Sequence, residues 1–521
     1  MELSCISSTI SSPERETPSL FHPRLITGDK QLRCMKRSEP CSENRLNESF
    51  SQRMISDQLF MRDESAQFHP LLYISPSPFN DHIMVAPTPD FYEHSLPKIL
   101  RRAHRRPGIN DALIRPHDNT QRDLTFSTLL RNRAVMRGRI RTLVVMVDFQ
   151  DVKFDNRQTK RHYETLWFGP RPTNSVNSYF QDVSKEKVSI YGEVKGPYTL
   201  EHDMSYYANH RSGLGNRTPN AMTMAREAVA AAEKDGVNFG LYDNDRDGFV
   251  DSFVIVHAGR GAEHTRSGDD IWSHKGVLQD LGPFRILLNA FKEQFREDQP
   301  AETNVFAYLT IPADCKLGVC VHELGHLAFG WPDLYDGDYS SSGIGNWCLM
   351  ASGSYNGDEN NPAEPSAWCK LKQKWVDPIP IKNNQKIELK DVKDENKVVQ
   401  IWKENLFGSE YFLLEYRKQK GRDADLPGSG LLMWHIDEEQ DDNRSEMTHY
   451  KVALMQGDGE RDMERGENLG DPGDPFPGFN RIDFIGPDTN PSTNDWSGSP
   501  TGIIISDIRE LKDSITFTIS Y

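Results

Sequence analysis

The chain has 521 residues, 36% of them hydrophobic, which fits two to four domains with stretches of loop or tail between them. Lys and Arg number 61 against 77 Asp and Glu, a net charge of −16, which argues against nucleic acid or an anionic membrane surface as the main partner. No run of about 18 apolar residues is present to span a bilayer.

The N-terminal residues MELSCISSTISSPERETP have neither the basic n-region nor the apolar h-region of a signal peptide. Residues 1–75 are rich in Ser, Arg, Glu and Pro, lack any sustained period, and read as a disordered leader. Residues 76–135 are basic and broken by prolines, as in KILRRAHRRPG, and read as a pro-segment, an arm over the body, or a plain linker. Ordered structure is expected from Arg141, where RTLVVMVDF has the form of a buried strand. In VNSYFQDVSKEKVSIYGEVKGPYTL a helix is expected, then a hairpin-like pair. TPNAMTMAREAVAAAEKDG reads as a helix capped by Thr218, with Pro219 in its first turn and Gly236 at its stop.

DNDRDGFVD follows. It places Asp243, Asp245, Asp247 and Asp251 at positions 1, 3, 5 and 9 around Gly248, with the Phe249 carbonyl at position 7. This is the first part of a calcium loop, but Val254 stands where an EF-hand carries its bidentate glutamate, and a strand follows instead of a second helix. Four aspartates in nine residues repel one another without a cation. A structural Ca²⁺ site joining helix to strand is expected; a solvated acidic turn is the plainer alternative. Strands are expected at DSFVIVHAG and NVFAYLTIPA.

The stretch VHELGHLAFGWPDLYD carries the chemistry. His322 and His326 are four apart, so a helix puts both imidazoles on one face, about a turn apart. Two ring nitrogens can then reach one Zn²⁺ at about 2.0–2.1 Å. Glu323 is rotated about 100° from His322, beside the metal, where it can take a proton from zinc-bound water and pass it to the leaving amine. Asp314 is positioned to cap this helix, and Gly330 and Pro332 to end it. After that turn Asp333 becomes available as a third ligand, leaving the open position that catalysis needs. A chance H-E-x-x-H is expected in roughly a few per cent of chains with this histidine content. Met350, in NWCLMASGSY, can form an apolar floor under the histidines. Cys315, Cys320, Cys348 and Cys369 surround the motif, either as disulfides or as buried thiols.

PSAWCKLKQKW reads as a short helix. Beyond about residue 380, KIELKDV, KVVQIWKEN, EYFLLEYR, SGLLMWHID, KVALMQGD and SITFTISY read as short strands of a β-sandwich.

HELGHLAFGWPDLYD followed by GIGNWCLMASGS resembles the immune inhibitor A family of secreted zinc metallopeptidases, a metzincin-like group. LVVMVDFQDVKF, SYFQDVSKEKVSIYGEV, DNDRDGFVDSFVIVHAG, IWSHK, EYFLLEYRKQKGRDADLPGSGLLMWHID and GDPGDPFPG extend the resemblance over roughly 140–521. It implies a secreted endopeptidase made as a proenzyme. His322, His326 and Asp333 would hold zinc, Glu323 would be the general base, and Met350 the Met-turn residue. One feature departs from the family spacing H-E-x-x-H-x-x-G-x-x-D: three residues, not two, separate His326 from Gly330, which displaces Asp333. An extended helix or a bulge would restore the geometry; otherwise Asp336 or a water takes the place.

The expected architecture is thus an α/β zincin or metzincin-like catalytic domain over 136–380 and a β-sandwich over 381–521. Its partners are protein or peptide substrates, and the segment before Arg141 covers the cleft, with Cys34, Cys41 or a carboxylate facing the metal. Two competing readings are an inactive protease fold that binds a partner, and a calcium-stabilised adhesin without zinc. Among other candidates, His257, His264, His274 and His435 read as core or rim histidines. Tyr335 and Tyr355 read as packing residues that could also donate to an oxyanion. GDPGDPF reads equally as a cation loop and a plain turn.

Overall fold

The computed structural model describes Ile83–Met84 and residues 136–521, except 216, 246–248, 279–302, 304, 338–339, 441 and 444–448. The expected leader over 1–75, with Cys5, Cys34 and Cys41, lies outside the described residues, as does the 76–135 arm apart from one two-residue strand.

A six-stranded sheet organises the N-terminal part. Its strands are β1 (Ile83–Met84), β2 (Gly138–Asp148), β3 (Val188–Thr199), β4 (Phe253–His257), β5 (His274–Val277) and β6 (Ala307–Pro312), in the order β1-β5-β6-β4-β2-β3. β3, β2, β4 and β6 are parallel. β5 runs antiparallel to β6, and β1 adds antiparallel to β5 through Ile83–Lys275 and Met84–His274. Period 2 explains the long apolar run of β2. Ile140, Val144 and Met146 join one core, and Leu143, Val145 and Val147 join another on the opposite face.

Helices cover both faces. On one side lie α1 (Lys160–Phe168), α2 (Val176–Val183) and α4 (Leu317–Phe329); on the other lies α3 (Ala221–Lys234). Asn220, not Thr218, caps α3: it accepts from Thr223 N while Thr223 bonds back to it. Gly236, at φ +77°, follows the helix end as expected.

The hairpin expected after α2 is instead the single twelve-residue strand β3, parallel to β2. Its glycines mislead as turn signals. Gly192 faces Thr142 so closely that a Cβ would stand 1.8 Å from the Thr142 carbonyl oxygen. Gly196, at φ +85°, sits where the β2–β3 register shifts between Val145 and Val147.

The remaining strands are β7 (Asp377–Pro380), β8 (Gln385–Lys390), β9 (Lys397–Trp402), β10 (Glu410–Arg417), β11 (Gly430–Asp437), β12 (Val452–Leu454), β13 (Ile504–Glu510) and β14 (Ser514–Ser520). They form a five-stranded sheet, β12-β11-β10-β9-β7, and a three-stranded sheet, β13-β14-β8. β7 and β13 were not anticipated from the sequence.

The five-stranded sheet is buried on both faces. Leu413, Leu432, Trp434 and Ile436 pack into the same core as α4. Phe412, Leu414, Leu431 and Met433 pack against Ile515, Phe517 and Ile519 of the smaller sheet. This layer therefore ties the helix-bearing part to the β-rich end. Between the two parts, α5 (Ala367–Lys372) is capped by Ser366, which accepts from Cys369 N.

Candidate metal centre

Every residue of α4 is buried, histidines and glutamate included, as suits a helix with an apolar sequence all round. Its N-cap is Lys316, with no side-chain cap bond, so Asp314 does not cap it. The first turn is satisfied from elsewhere: Gly318 N donates to the Glu359 carbonyl at 2.8 Å. That close approach requires glycine, because a Cβ at 318 would stand 1.9 Å from the Ser354 carbonyl oxygen.

The helix runs one residue beyond the family spacing, through Phe329, and then reverses at Gly330 in the left-handed region (φ 65°, ψ 25°). Gly330 N bonds to the His326 carbonyl at 3.1 Å and Trp331 N to the Gly325 carbonyl at 3.3 Å. Phe329 seats the added residue in an aromatic cluster, its ring 5.0 Å from those of Phe180, Trp331 and Trp375.

This turn returns Asp333 to the histidines. Asp333 Oδ1 lies 3.1 Å from His322 Nε2 and 3.1 Å from His326 Nε2, and the two Nε2 atoms are 3.0 Å apart. His322 Nδ1 donates to the Leu349 carbonyl at 2.8 Å, and His326 Nδ1 to the Trp331 carbonyl at 2.6 Å. Those contacts assign the tautomers, so both Nε2 atoms present lone pairs to each other and to a carboxylate.

Burial pushes the His326 imidazole down to about 4, keeping it neutral at neutral pH. Burial works to raise the Asp333 carboxyl, but the His326 and His322 rings hold it down at about 2. Asp333 Oδ2 is buried with no hydrogen-bond partner among the described residues. Three electron-pair donors converging in a buried space repel unless a cation lies among them. A tetrahedral ion with bonds of about 2.0–2.2 Å would space its ligand atoms about 3.3 Å apart, close to what is seen. The residues present therefore fit zinc.

Met350 is fully buried, and its Sδ would lie 2.8 Å from a Cβ at Gly325, the helix position between the histidines. Leu349, the residue before it, supplies the carbonyl that orients His322. The oriented Leu349 and Trp331 carbonyls were missed in the sequence, since backbone acceptors leave no residue-type signal. Asp336, the alternative third ligand, accepts instead from Ser341 N at 3.0 Å and Ser340 Oγ at 2.8 Å.

Residues 133–378 match the family model for the catalytic domain of the immune inhibitor A peptidases, M6. This segment belongs to the immune inhibitor A peptidase family. The chain is 28% identical over 314 residues to the pre-pro-metalloprotease PrtV of Vibrio cholerae serotype O1, an alignment covering 50% of this chain and 32% of that protein. It is also 28% identical over 256 residues to the immune inhibitor A of Bacillus thuringiensis subsp. alesti, covering 42% and 36% respectively. The match thus spans about a third of the length of these relatives.

Within this immune inhibitor A segment, Asp243, Asp245 and Asp251 each bring a carboxylate oxygen to within 4.8 Å of the others. Asp251 is buried and also accepts from Asn244 N at 2.5 Å. Phe249 is half-buried, its ring 6.2 Å from that of Phe306. Asp247 lies outside the described residues.

The other candidate histidines take these places. His257 is buried, its Nδ1 donating to the Ala258 carbonyl at 2.9 Å. His274 contacts the Trp272 carbonyl and Tyr308, and His435 pairs with Glu410 at 2.8 Å. His264 faces Glu359 at 3.3 Å. Tyr335 and Tyr355 are buried. Cys315, Cys320, Cys348 and Cys369 are buried free thiols, with the Cys315 and Cys320 sulfurs 3.6 Å apart. Among the described residues, no helix is long and apolar enough to cross a membrane.

Proposed function

We propose that this chain is a zinc-dependent endopeptidase that hydrolyses peptide bonds in proteins. The observation that carries the reading is the convergence of His322 Nε2, His326 Nε2 and Asp333 Oδ1 within 3.1 Å of one another, with both Nδ1 atoms turned away to carbonyls. His322, His326 and Asp333 would hold the ion. Zinc, when bound, supplies Lewis acidity toward a peptide carbonyl and an attacking water. Glu323, buried beside His322, would serve as the proton acceptor for the attacking water and as the proton donor to the leaving amine. Leu349 and Trp331 hold the imidazoles in their ligating tautomer, and Met350 floors the helix between them. A buried helix with Met350 packed beneath it favours a metzincin-like fold for 136–380, with 381–521 as its β-rich support. Asp243, Asp245, Asp247, the Phe249 carbonyl and Asp251 would hold a structural Ca²⁺.

One relative's name bears on maturation. PrtV is described as a pre-pro-metalloprotease. Here β1 pairs with β5 at the sheet edge, where an extended substrate would add by the same main-chain bonds. We read the 76–135 segment as a pro-segment, with its strand β1 at that edge, and the mature protein as extracellular. Removal of residues 1–135 should then raise activity.

The test of the enzyme reading is casein cleavage by wild type and Glu323→Ala. A chelator-sensitive activity that falls about 10²–10⁴-fold in the variant supports it. Equal, chelator-insensitive signals would leave an inactive protease fold that binds a partner.

A further inference from the structure

A second acidic cluster lies far from α4 in sequence. Asp458, Asp471 and Asp474 each bring a carboxylate oxygen to within 4.8 Å of the others. Acidic groups gather on surfaces without any ion, so proximity alone decides nothing. Asp474 is different. It is 1% exposed, and its Oδ2 is committed to two donors, Trp347 Nε1 at 2.8 Å and Asp471 N at 2.9 Å. Its Oδ1 is buried with no hydrogen-bond partner among the described residues. A carboxylate oxygen left in that state is destabilising unless something positive meets it.

The other two carboxylates crowd the residue before Asp474. A Cβ at Gly473 would stand 2.1 Å from Asp458 Oδ2 and 3.0 Å from Asp471 Oδ1, so both oxygens crowd one face of the glycine. The carbonyl oxygens of Gly473, Asp474 and Pro475 would lie 3.0, 3.1 and 3.3 Å from a Cβ at Gly457, beside Asp458. The donor set is three carboxylates, oxygen only, with neither His nor Cys. That chemistry suits a hard cation over Zn²⁺, and three carboxylates from one region favour Ca²⁺ over Mg²⁺, which is usually held by one or two.

We infer that Asp458, Asp471 and Asp474 form a calcium site distinct from the 243–251 loop, and that this site braces the segment lying under the zinc-binding helix. The bracing contacts are direct. Ser342 N donates to the Met463 carbonyl at 2.8 Å, Ser342 Oγ to the Asn468 carbonyl at 2.7 Å, and Asn346 N to the Leu469 carbonyl at 2.7 Å. Trp347 Nε1 reaches Asp474 itself. Two residues on, Leu349 orients His322. Calcium at the 458–474 loop therefore holds the strip that carries Leu349 and Met350.

The test uses the full chain stripped of divalent ions and titrated with Ca²⁺ in equilibrium dialysis. Asp458→Asn and Asp471→Asn should each bind one ion fewer per chain than wild type, and Asp245→Asn should lose a different one. Terbium gives a second readout in a background where neither Asp458 nor Asp471 is altered. In the Asp245→Asn background, Tb³⁺ luminescence sensitised by Trp347 should appear and be displaced by Ca²⁺. Unchanged calcium stoichiometry in both loop variants, or no tryptophan-sensitised terbium signal displaced by Ca²⁺, overturns the site. Neither readout depends on peptidase activity, so failure here is distinguishable from failure of the zinc reading.

Discussion

His326 Nε2 and Asp333 Oδ1 stand 3.1 Å apart, although the chain between them is one residue longer than the family spacing. The added residue is absorbed by helix, through Phe329, before the left-handed Gly330 turns the chain back. Asp333 should then be a full ligand. Asp333→Ala should weaken zinc retention by about 100-fold or more, since even outer partners of metal ligands are worth about 10–100-fold. Zinc content after dialysis against a graded chelator series reads this. Retention equal to wild type would mean that another group completes the shell.

Phe329 is the residue that makes the longer helix tolerable. Its ring is packed among Phe180, Trp331 and Trp375, and it is nearly fully buried. Phe329→Ala should cost about 3–5 kcal/mol, from lost burial and the cavity left behind. Urea unfolding monitored by tryptophan fluorescence measures it. A cost under about 1 kcal/mol would show that the cluster does not seat the turn.

Gly318 sets how closely α4 approaches the 351–359 turn. Alanine normally gains about 1 kcal/mol over glycine inside a helix. Here its Cβ would stand 1.9 Å from the Ser354 backbone oxygen, which no side-chain rotation relieves. Gly318→Ala should therefore destabilise by about 2 kcal/mol or more despite its propensity. A rise in melting temperature would contradict the packing.

Stability should fall in acid partly through His257. Burial holds its imidazole down to about 4, against about 6.5 in an unfolded chain. Between those values the unfolded chain binds a proton that the folded one refuses. The resulting loss begins as pH falls below about 6.5 and reaches about 3 kcal/mol near pH 4. Carboxylates titrate in the same range, so the readout is the difference between wild type and His257→Leu. The variant should show the shallower pH slope, measured by urea unfolding between pH 7.5 and 4.5. Equal slopes would place the acid sensitivity elsewhere.

The calcium reading of the 243–251 loop predicts a conditional effect. A ligand that binds only the folded state stabilises it by mass action. Asp245→Asn should lower the melting temperature when calcium is present and change it little in a chelator. An equal shift in both conditions would reduce the loop to an acidic turn.

What the sequence revealed follows the range of the interactions involved. His322, Glu323 and His326 lie within one helical period, so their grouping was legible. The aspartates at 243, 245 and 251 were legible for the same reason. Local turn signals misled where distant backbone set the conformation. Gly192 and Gly196 suggested a hairpin, but they accommodate β2, about fifty residues upstream. Asp314 resembled a cap, but Glu359 satisfies the first turn of α4 instead. The strands β10 and β11 were legible, but not that their alternate residues serve two cores. Asp458 gave no sign of meeting Asp471 and Asp474, because only the folded loop brings them together.

The most direct test of the central claim is X-ray absorption at the zinc edge on the purified full chain. A nitrogen and oxygen shell at about 2.0–2.2 Å with two imidazoles is expected, and is lost in His326→Ala. A shell containing sulfur at about 2.3 Å, or no bound zinc in the wild type, would contradict it.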